Sequence, residues 1–364
     1  MLFAALTLGL SIVPHRRAAF RSSGDATGPE EFDIVGATYF VVAPDTNAYA
    51  FTSEQETQYG ARRYETLFDA ESGLSASPST PQVINIVGDW SGATEDTTAV
   101  DFDGTTPTAA NYTLVRCVDT EGDTTRHSGI WDDDRYTLSV DANALTISDN
   151  YIRIDGLQIE EDNSGNRRAV LLTSGSNNAK IEYCIMRTSS GGVDNCLQIG
   201  SSGTAPSVGN CILICGNSAD VGINVSASQG SGGYFYNLTI IGGPSSSAIG
   251  LDLDSVSANE ETFKNCIIEG FATAAVGDVT DASDYNATDL ASFGWTQTTP
   301  AGNNQVNQTF VFVDSGNDDF HLDPTDTGAT DLGTDLSADG DYPITRDIDY
   351  ETRSGTWDIG ADEK

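Results

Sequence analysis

The chain carries 54 acidic residues, 17 basic residues and three histidines, so chemistry at neutral pH would fall mainly to carboxylates. Cleaving a glycosidic bond by hydrolysis takes two carboxylates facing each other across the sugar at one of two separations. Cleaving it by elimination takes a carboxylate-held calcium ion and a basic residue that abstracts a proton. Asp132 opens the run Asp132-Asp133-Asp134 between Trp131 and Arg135, and acids beside an aromatic ring suit a sugar. Asp252 closes a set of equivalent positions, Gln198, Asn224 and Asp252, in the alternating segments Leu197-Gln198-Ile199, Ile223-Asn224-Val225 and Leu251-Asp252-Leu253. That set has one carboxylate and no Arg or Lys in register, and reads as a solvated polar face. The Asp132 run reads as a charged loop. No catalytic residue is therefore assigned, and Asp132 and Asp252 stand as fallback candidates for a depolymerase.

The other reactive types carry less. Glu160-Glu161, followed by Arg167 and Arg168, reads as a surface ion pair. Asp331, Asp335, Asp339 and Asp341 could hold Ca²⁺, but their spacing lacks the order of an EF-hand loop. No cofactor is expected. His15, His127 and His321 have no Ser or Cys partner and read as structural. The six cysteines include no CxxC and no Cys/His cluster, which argues against zinc, and they are too few for a disulfide framework in so long a chain.

Elements that would position such groups are visible as a repeat. Leu157, Cys184, Cys211, Leu238 and Cys266 follow one another at intervals of 27, 27, 27 and 28 residues. A second apolar position, Leu171, Leu197, Ile223 and Leu251, recurs at 26, 26 and 28. Two or more short strands per period, joined by Gly/Ser/Asn turns, describe a solenoid whose rungs stack about 4.8 Å apart. The expected fold is all-β: a right-handed single-stranded parallel β-helix of ~27-residue coils. In it, Cys184, Cys211, Leu238 and Cys266 form an inward stack of aliphatic groups and reduced thiols. Asn210, Asn237 and Asn265 share the preceding position and form a side-chain amide ladder.

The segments at 1–30, 31–81, 82–290 and 291–364 read as an N-terminal anchoring arm, a region with a capping helix at Tyr64–Ser72, the β-helix, and C-terminal strands with an acidic cap. Residues 1–24 hold Arg16, Arg17 and Arg21 and no acid, whereas the remaining body has 14 bases against 54 acids, a net of −40. Such a body repels nucleic acid and anionic membrane. Met1–Val13 is apolar but too short to cross a bilayer, and its charges follow the apolar stretch, where a signal peptide has them first. It reads as an assembly arm, anchored through Arg16, Arg17 and Arg21, with an unusual signal peptide as the alternative.

Arg126-His127-Ser128-Gly129 followed by Tyr151-Ile152-Arg153-Ile154-Asp155-Gly156-Leu157-Gln158-Ile159, and the ending Asp319-Phe320-His321-Leu322, Gly333-Thr334-Asp335, Asp347-Ile348-Asp349, Arg353 and Trp357-Asp358-Ile359-Gly360-Ala361-Asp362-Glu363, resemble right-handed β-helix proteins of the pectate-lyase-like superfamily, of the type encoded by tailed bacteriophages and prophages. The resemblance spans about residues 60–364. It implies a virion surface protein, such as a tail spike, fibre or head decoration, that forms a homotrimer and contacts cell-surface polysaccharide; the arm at 1–24, outside the resemblance, would bind other virion proteins. The alternative it implies is a secreted or virion-borne polysaccharide lyase or hydrolase.

Overall fold

Ile152 and Ile154 are buried while Arg153 and Asp155, alternating with them, face outward, as the two-residue period of a strand demands. Gly156 turns the chain at a φ of 76°. Gln158–Glu161 and Arg168–Leu172 follow as second and third strands, and Lys180–Glu182 then pairs in parallel with Ile152–Asp155. In the computed structural model, this step repeats to build three parallel sheets. The residues described are 34–364, apart from 45–50, 52, 93–94, 119–123, 163–164, 190–191, 201–205, 218, 227–231, 244–247, 254–260 and 301. The arm, with Arg16, Arg17 and Arg21, lies outside them.

Sheet A has nine strands, running from Arg63–Tyr64 and Thr38–Val42 to Thr262–Lys264. Sheet B has seven, from Thr137–Val140 to Ala287–Thr288, and sheet C seven, from Val100–Phe102 to Thr273–Gly277. The molecule is an all-β parallel β-helix. Leu157, Cys184, Cys211, Leu238 and Cys266 stand in one inward column and are fully buried, and all six cysteines are free thiols. Burying each large aliphatic side chain contributes about 1.5–3 kcal/mol. Phe235 and Phe263 stack on successive rungs with ring centroids 4.7 Å apart.

The corner between sheets A and B is a tight turn through one left-handed residue. Gly156, Tyr183, Asn210, Asn237, Asn265 and Tyr285 occupy it, with φ between 49° and 76°. Asparagine tolerates this region better than most residues, and stacking turns the preference into a ladder. Asn237 Nδ2 donates to Asn210 Oδ1 at 3.0 Å, and Asn265 Nδ2 to Asn237 Oδ1 at 3.1 Å.

Both ends differ from the segment boundaries read in the sequence. Sheet A begins at Thr38 rather than residue 82, because Thr38–Val42 pairs directly with Gln82–Ile86. The helix is Leu67–Ser72, shorter than Tyr64–Ser72, since Tyr64 is drawn into a strand and Thr66 caps the helix by accepting from the Asp69 N–H. Leu67 and Ala70 seal the first coils. After Ala275 the coils shorten. Ala287–Thr288 pairs with Ile267–Ile268, and Gln305 bridges to Ala287 only 18 residues on. A search for a constant 27-residue period misses so short a coil. Phe312–Asp314 and Asp319–Leu322 then form an antiparallel hairpin.

Replacing Asn237 separates the two roles of the corner. Asn237→Ala is expected to lower unfolding free energy by about 3 kcal/mol, from orphaned amides on Asn210 and Asn265 plus left-handed strain. Asn237→Gly should lose about 1–2 kcal/mol less, because glycine restores the backbone conformation but not the ladder. Urea unfolding of the two variants reads the difference directly, and equal losses would remove the strain contribution.

Candidate functional site

Sheet B carries apolar side chains on both faces. Ile185, Ile212 and Ile267 point outward from it, yet all are buried, because the C-terminal segment lies against them. Phe320, Ile348 and Ala361 pack on Ile185, Ile212 and Ile214, while Leu322, Ala329 and Ile359 pack on Ile267 and Ala287. On the sheet A side, Leu336, Tyr342, Ile344 and Trp357 surround Tyr236.

The charged groups cluster where this segment crosses sheet A. Register places Asn85, Arg116, Asp155, Glu182, Gly209, Tyr236 and Lys264 in one outward column. Arg116, nearly fully buried, donates to Asn85 at 2.8 Å. Asp155 meets Arg126 at 3.3 Å and accepts from the Tyr350 hydroxyl. Glu182 accepts from the Tyr342 hydroxyl at 2.7 Å. Gly209 leaves the gap that Tyr342 fills, since a Cβ there would stand 2.6 Å from its hydroxyl. The Arg126 guanidinium lies 3.6 Å from the Tyr350 ring centre and donates to the Ile348 carbonyl, and Tyr350 stacks on Tyr183 at 4.2 Å. Burial pushes the Asp155 carboxyl up to about 6 against the pull of Arg126, with the neighbouring Glu182 adding to the rise.

The remaining resemblance motifs join the same clasp. His127 Nε2 lies 2.8 Å from the Tyr183 carbonyl, and its Nδ1 accepts from the Gly129 N–H. Burial holds its pKa far below the ordinary value, so the ring is neutral. Arg353 donates to the carbonyls of Gly360 and Ala361 at 2.7 and 2.9 Å and meets Glu363 at 3.1 Å. Arg126-His-Ser-Gly129 and the tail motifs are thus two halves of one fastening.

The fallback candidates are not brought together. Asp132 is held by Arg135 at 3.1 Å and caps its own loop through the Asp134 N–H. Trp131 is not an open sugar platform: the Arg187 guanidinium covers it at 3.8 Å, and it packs in the buried cluster under the tail. Asp252 sits on sheet C, in register with Asn224, whose amide donates to it at 3.2 Å. Gln198 and Asn224 share that column as read, register extends it through Leu171 and Thr146 to a second carboxylate, Asp101, and the tail clusters include none of these residues. Arg168 does reach it, donating to Gln198 from a position three residues before the Leu171 in register.

Three sequence readings are corrected. Leu171 does not stand in the inward column of Leu197, Ile223 and Leu251: Val170 pairs with Leu197, and Leu171 lies in the outward column beside Gln198. Glu160 pairs with Arg187 on the next rung at 2.7 Å, not with Arg167 or Arg168, and Glu161 is fully buried rather than on the surface. The acids Asp331, Asp335, Asp339 and Asp341 do not form one calcium site. Asp339 binds Lys264 at 2.7 Å, Asp335 caps Ser337, and the set of ligand-type atoms lying within 4.8 Å of one another among the described residues is instead His321, Asp349 and Asp362. What the sequence reading missed, the Asp155–Glu182 pair and its tyrosine covers, had a signal. Both acids sit two residues before a repeat centre, and Cys184-Ile-Met, Cys211-Ile-Leu and Cys266-Ile-Ile are runs buried on both faces.

Fold and site define the class: a parallel β-helix whose C-terminal segment is clasped across one corner. No protein-family model matches the chain, and no curated protein matches it. Among solved structures, it is similar to pectin methylesterase from Aspergillus niger, at 10% identity over 76% of this chain and 90% of that one, with a TM-score of 0.40. It is also similar to a pectate lyase, at 10% identity over 90% of this chain and 96% of that one, with a TM-score of 0.31.

Raised carboxyl groups give the folded state a pH dependence of definite sign. Burial lifts Asp155 to about 6, and Glu71 and Glu269 each to about 7. A pKa raised on folding stabilises below the unfolded value near 4 and is lost as pH rises through the folded value. These groups therefore make stability fall between pH 4 and 7, Asp155 alone contributing about 3 kcal/mol of the change. Asp155→Asn should flatten the lower part of that slope in urea midpoints measured across pH. An unchanged slope would show Asp155 to be ionised throughout.

Proposed function

We propose that this protein is a structural β-helix displayed on a phage-like particle, which binds host glycan along sheet C without cleaving it. The observation that carries this reading is how the acids are used. The carboxylates set side by side on sheet A are tied to the tail by Tyr350, Tyr342 and Arg126, while sheet C presents a mainly polar strip whose central column carries its two carboxylates, Asp101 and Asp252, five rungs apart. There Arg168 donates to Gln198, Gln198 to Ser226, and Asn224 to Asp252. Further along, Thr173 donates to Ser148 and Ser148 to Asp101. Amides and hydroxyls at rung spacing match the hydroxyls of an extended polysaccharide and lack the carboxylate pair that hydrolysis requires. The resemblance motifs and the −40 body support a particle-surface location, with residues 1–24 as the anchor and trimerisation as the assembly.

A second reading, cleavage of a polysaccharide, keeps one specific observation. Asp155 and Glu182 lie on successive rungs of one column, and burial raises Asp155 to about 6, a shift in the direction that a general acid needs.

Binding and cleavage separate in one set of measurements. Host glycan incubated with the full chain should be retained at unchanged chain length. Asn224→Ala and Gln198→Ala should each weaken retention about five- to tenfold, the worth of one hydrogen bond. Shortened glycan that persists in both variants and disappears in Asp155→Asn would replace the binding reading with the depolymerase. For the location, the chain should be found by mass spectrometry in purified particles, and deletion of residues 1–24 should abolish attachment. A chain found only in culture fluid would overturn the particle assignment.

A further inference from the structure

The clasp contains a group of side chains that glycan binding on sheet C does not use. His321 stands in the hairpin strand Asp319–Leu322, with Nδ1 2.6 Å from Asp319 Oδ1 and Nε2 2.9 Å from Asp349 Oδ2. One ligand-type atom each from His321, Asp349 and Asp362 lie within 4.8 Å of one another. Asp362 is nearly buried and is positioned by the Leu322 N–H, which donates to its Oδ2 at 2.8 Å. Three carboxylates therefore surround one imidazole, and even a protonated ring leaves two negative charges in excess. Gly129 lies against the same atoms at a φ of 72°, and a Cβ there would come within 2.4 Å of His321 Nε2 and 2.7 Å of Asp349 Oδ1. Glycine keeps the space beside both of them open.

We propose that His321 Nε2, Asp349 and Asp362 form a binding site for a divalent transition cation such as Zn²⁺ or Mn²⁺. On binding, the ion would displace the Nε2 proton now shared with Asp349, while Asp319 keeps the Nδ1 proton, the usual supporting contact of a ligating histidine. One imidazole nitrogen with carboxylate oxygens suits these ions better than Ca²⁺ or Mg²⁺, which take sets made of oxygen alone. The ion would join three separate parts of the tail: the hairpin at 321, the turn at 349 and the closing segment at 362. It would neutralise the excess charge where those parts meet the Arg126–Gly129 loop.

The test uses the full chain, stripped with EDTA, dialysed into physiological salt to suppress diffuse binding, and titrated by calorimetry with ZnCl₂, MnCl₂, CaCl₂ and MgCl₂ in turn. One saturable equivalent of Zn²⁺ or Mn²⁺ is expected, at least tenfold tighter than Ca²⁺, with a rise in melting temperature. Asp349→Asn, on the exposed side of the group, and His321→Gln should each weaken binding at least tenfold, and Asp341→Asn should leave it unchanged. If His321→Gln fails to fold, Asp349→Asn with unaltered circular dichroism carries the comparison. Binding that does not saturate, that prefers Ca²⁺, or that is unaffected in Asp349→Asn would overturn the site. The group would then be an imidazolium clamped between carboxylates.

Discussion

The left-handed residue at the corner between sheets A and B is the constraint on which the rest of the structure depends. From Ile152–Asp155 onward, each coil leaves sheet A and enters sheet B within two residues, and a single positive φ makes that turn. Because the same position recurs on these successive rungs, its side chains stack, and three of them are asparagines linked amide to amide. The ladder does not end within the coils. Asn265 also exchanges hydrogen bonds with the backbone of Thr334, at 2.8 and 2.9 Å, and its carbonyl accepts from Gly360. The corner that sets the rung register is therefore also the corner on which the C-terminal segment is seated.

That seating decides what the acidic residues can do. A body of net −40 gains nothing from bringing more carboxylates together unless each has a donor. Asp155 and Glu182 have tyrosine hydroxyls and Arg126, Glu160 has Arg187, and Asp339 has Lys264. Buried bases are used the same way: Arg353 is almost wholly enclosed and is spent on backbone carbonyls of the closing segment. Breaking such buried contacts costs more than the net worth of each pair, because the surviving partner is left desolvated. The tail is fastened by many contacts of this kind, whereas the tail clusters leave the Gln198, Asn224 and Asp252 strip of sheet C uncovered.

The amino-acid sequence by itself determined the period, the strands and the inward column. Spacings of 27, 27, 27 and 28 and strict alternation leave few other arrangements for Leu157, Cys184, Cys211, Leu238 and Cys266. It also placed Gln198, Asn224 and Asp252 together, because residues one period apart must stack. The shorter coils after Ala275 escaped it, since a fixed period cannot register an 18-residue return. Only the tertiary structure decided which outward face is covered. Local pattern reports that Ile185 or Asp155 points away from the coil axis, but not whether water or another segment lies beyond it. The meeting of Arg126 with Tyr350, or of Gly129 with His321 and Asp349, joins residues about 190 to 220 positions apart. No repeat relates them, so their contact exists only once the tail has been laid along the corner.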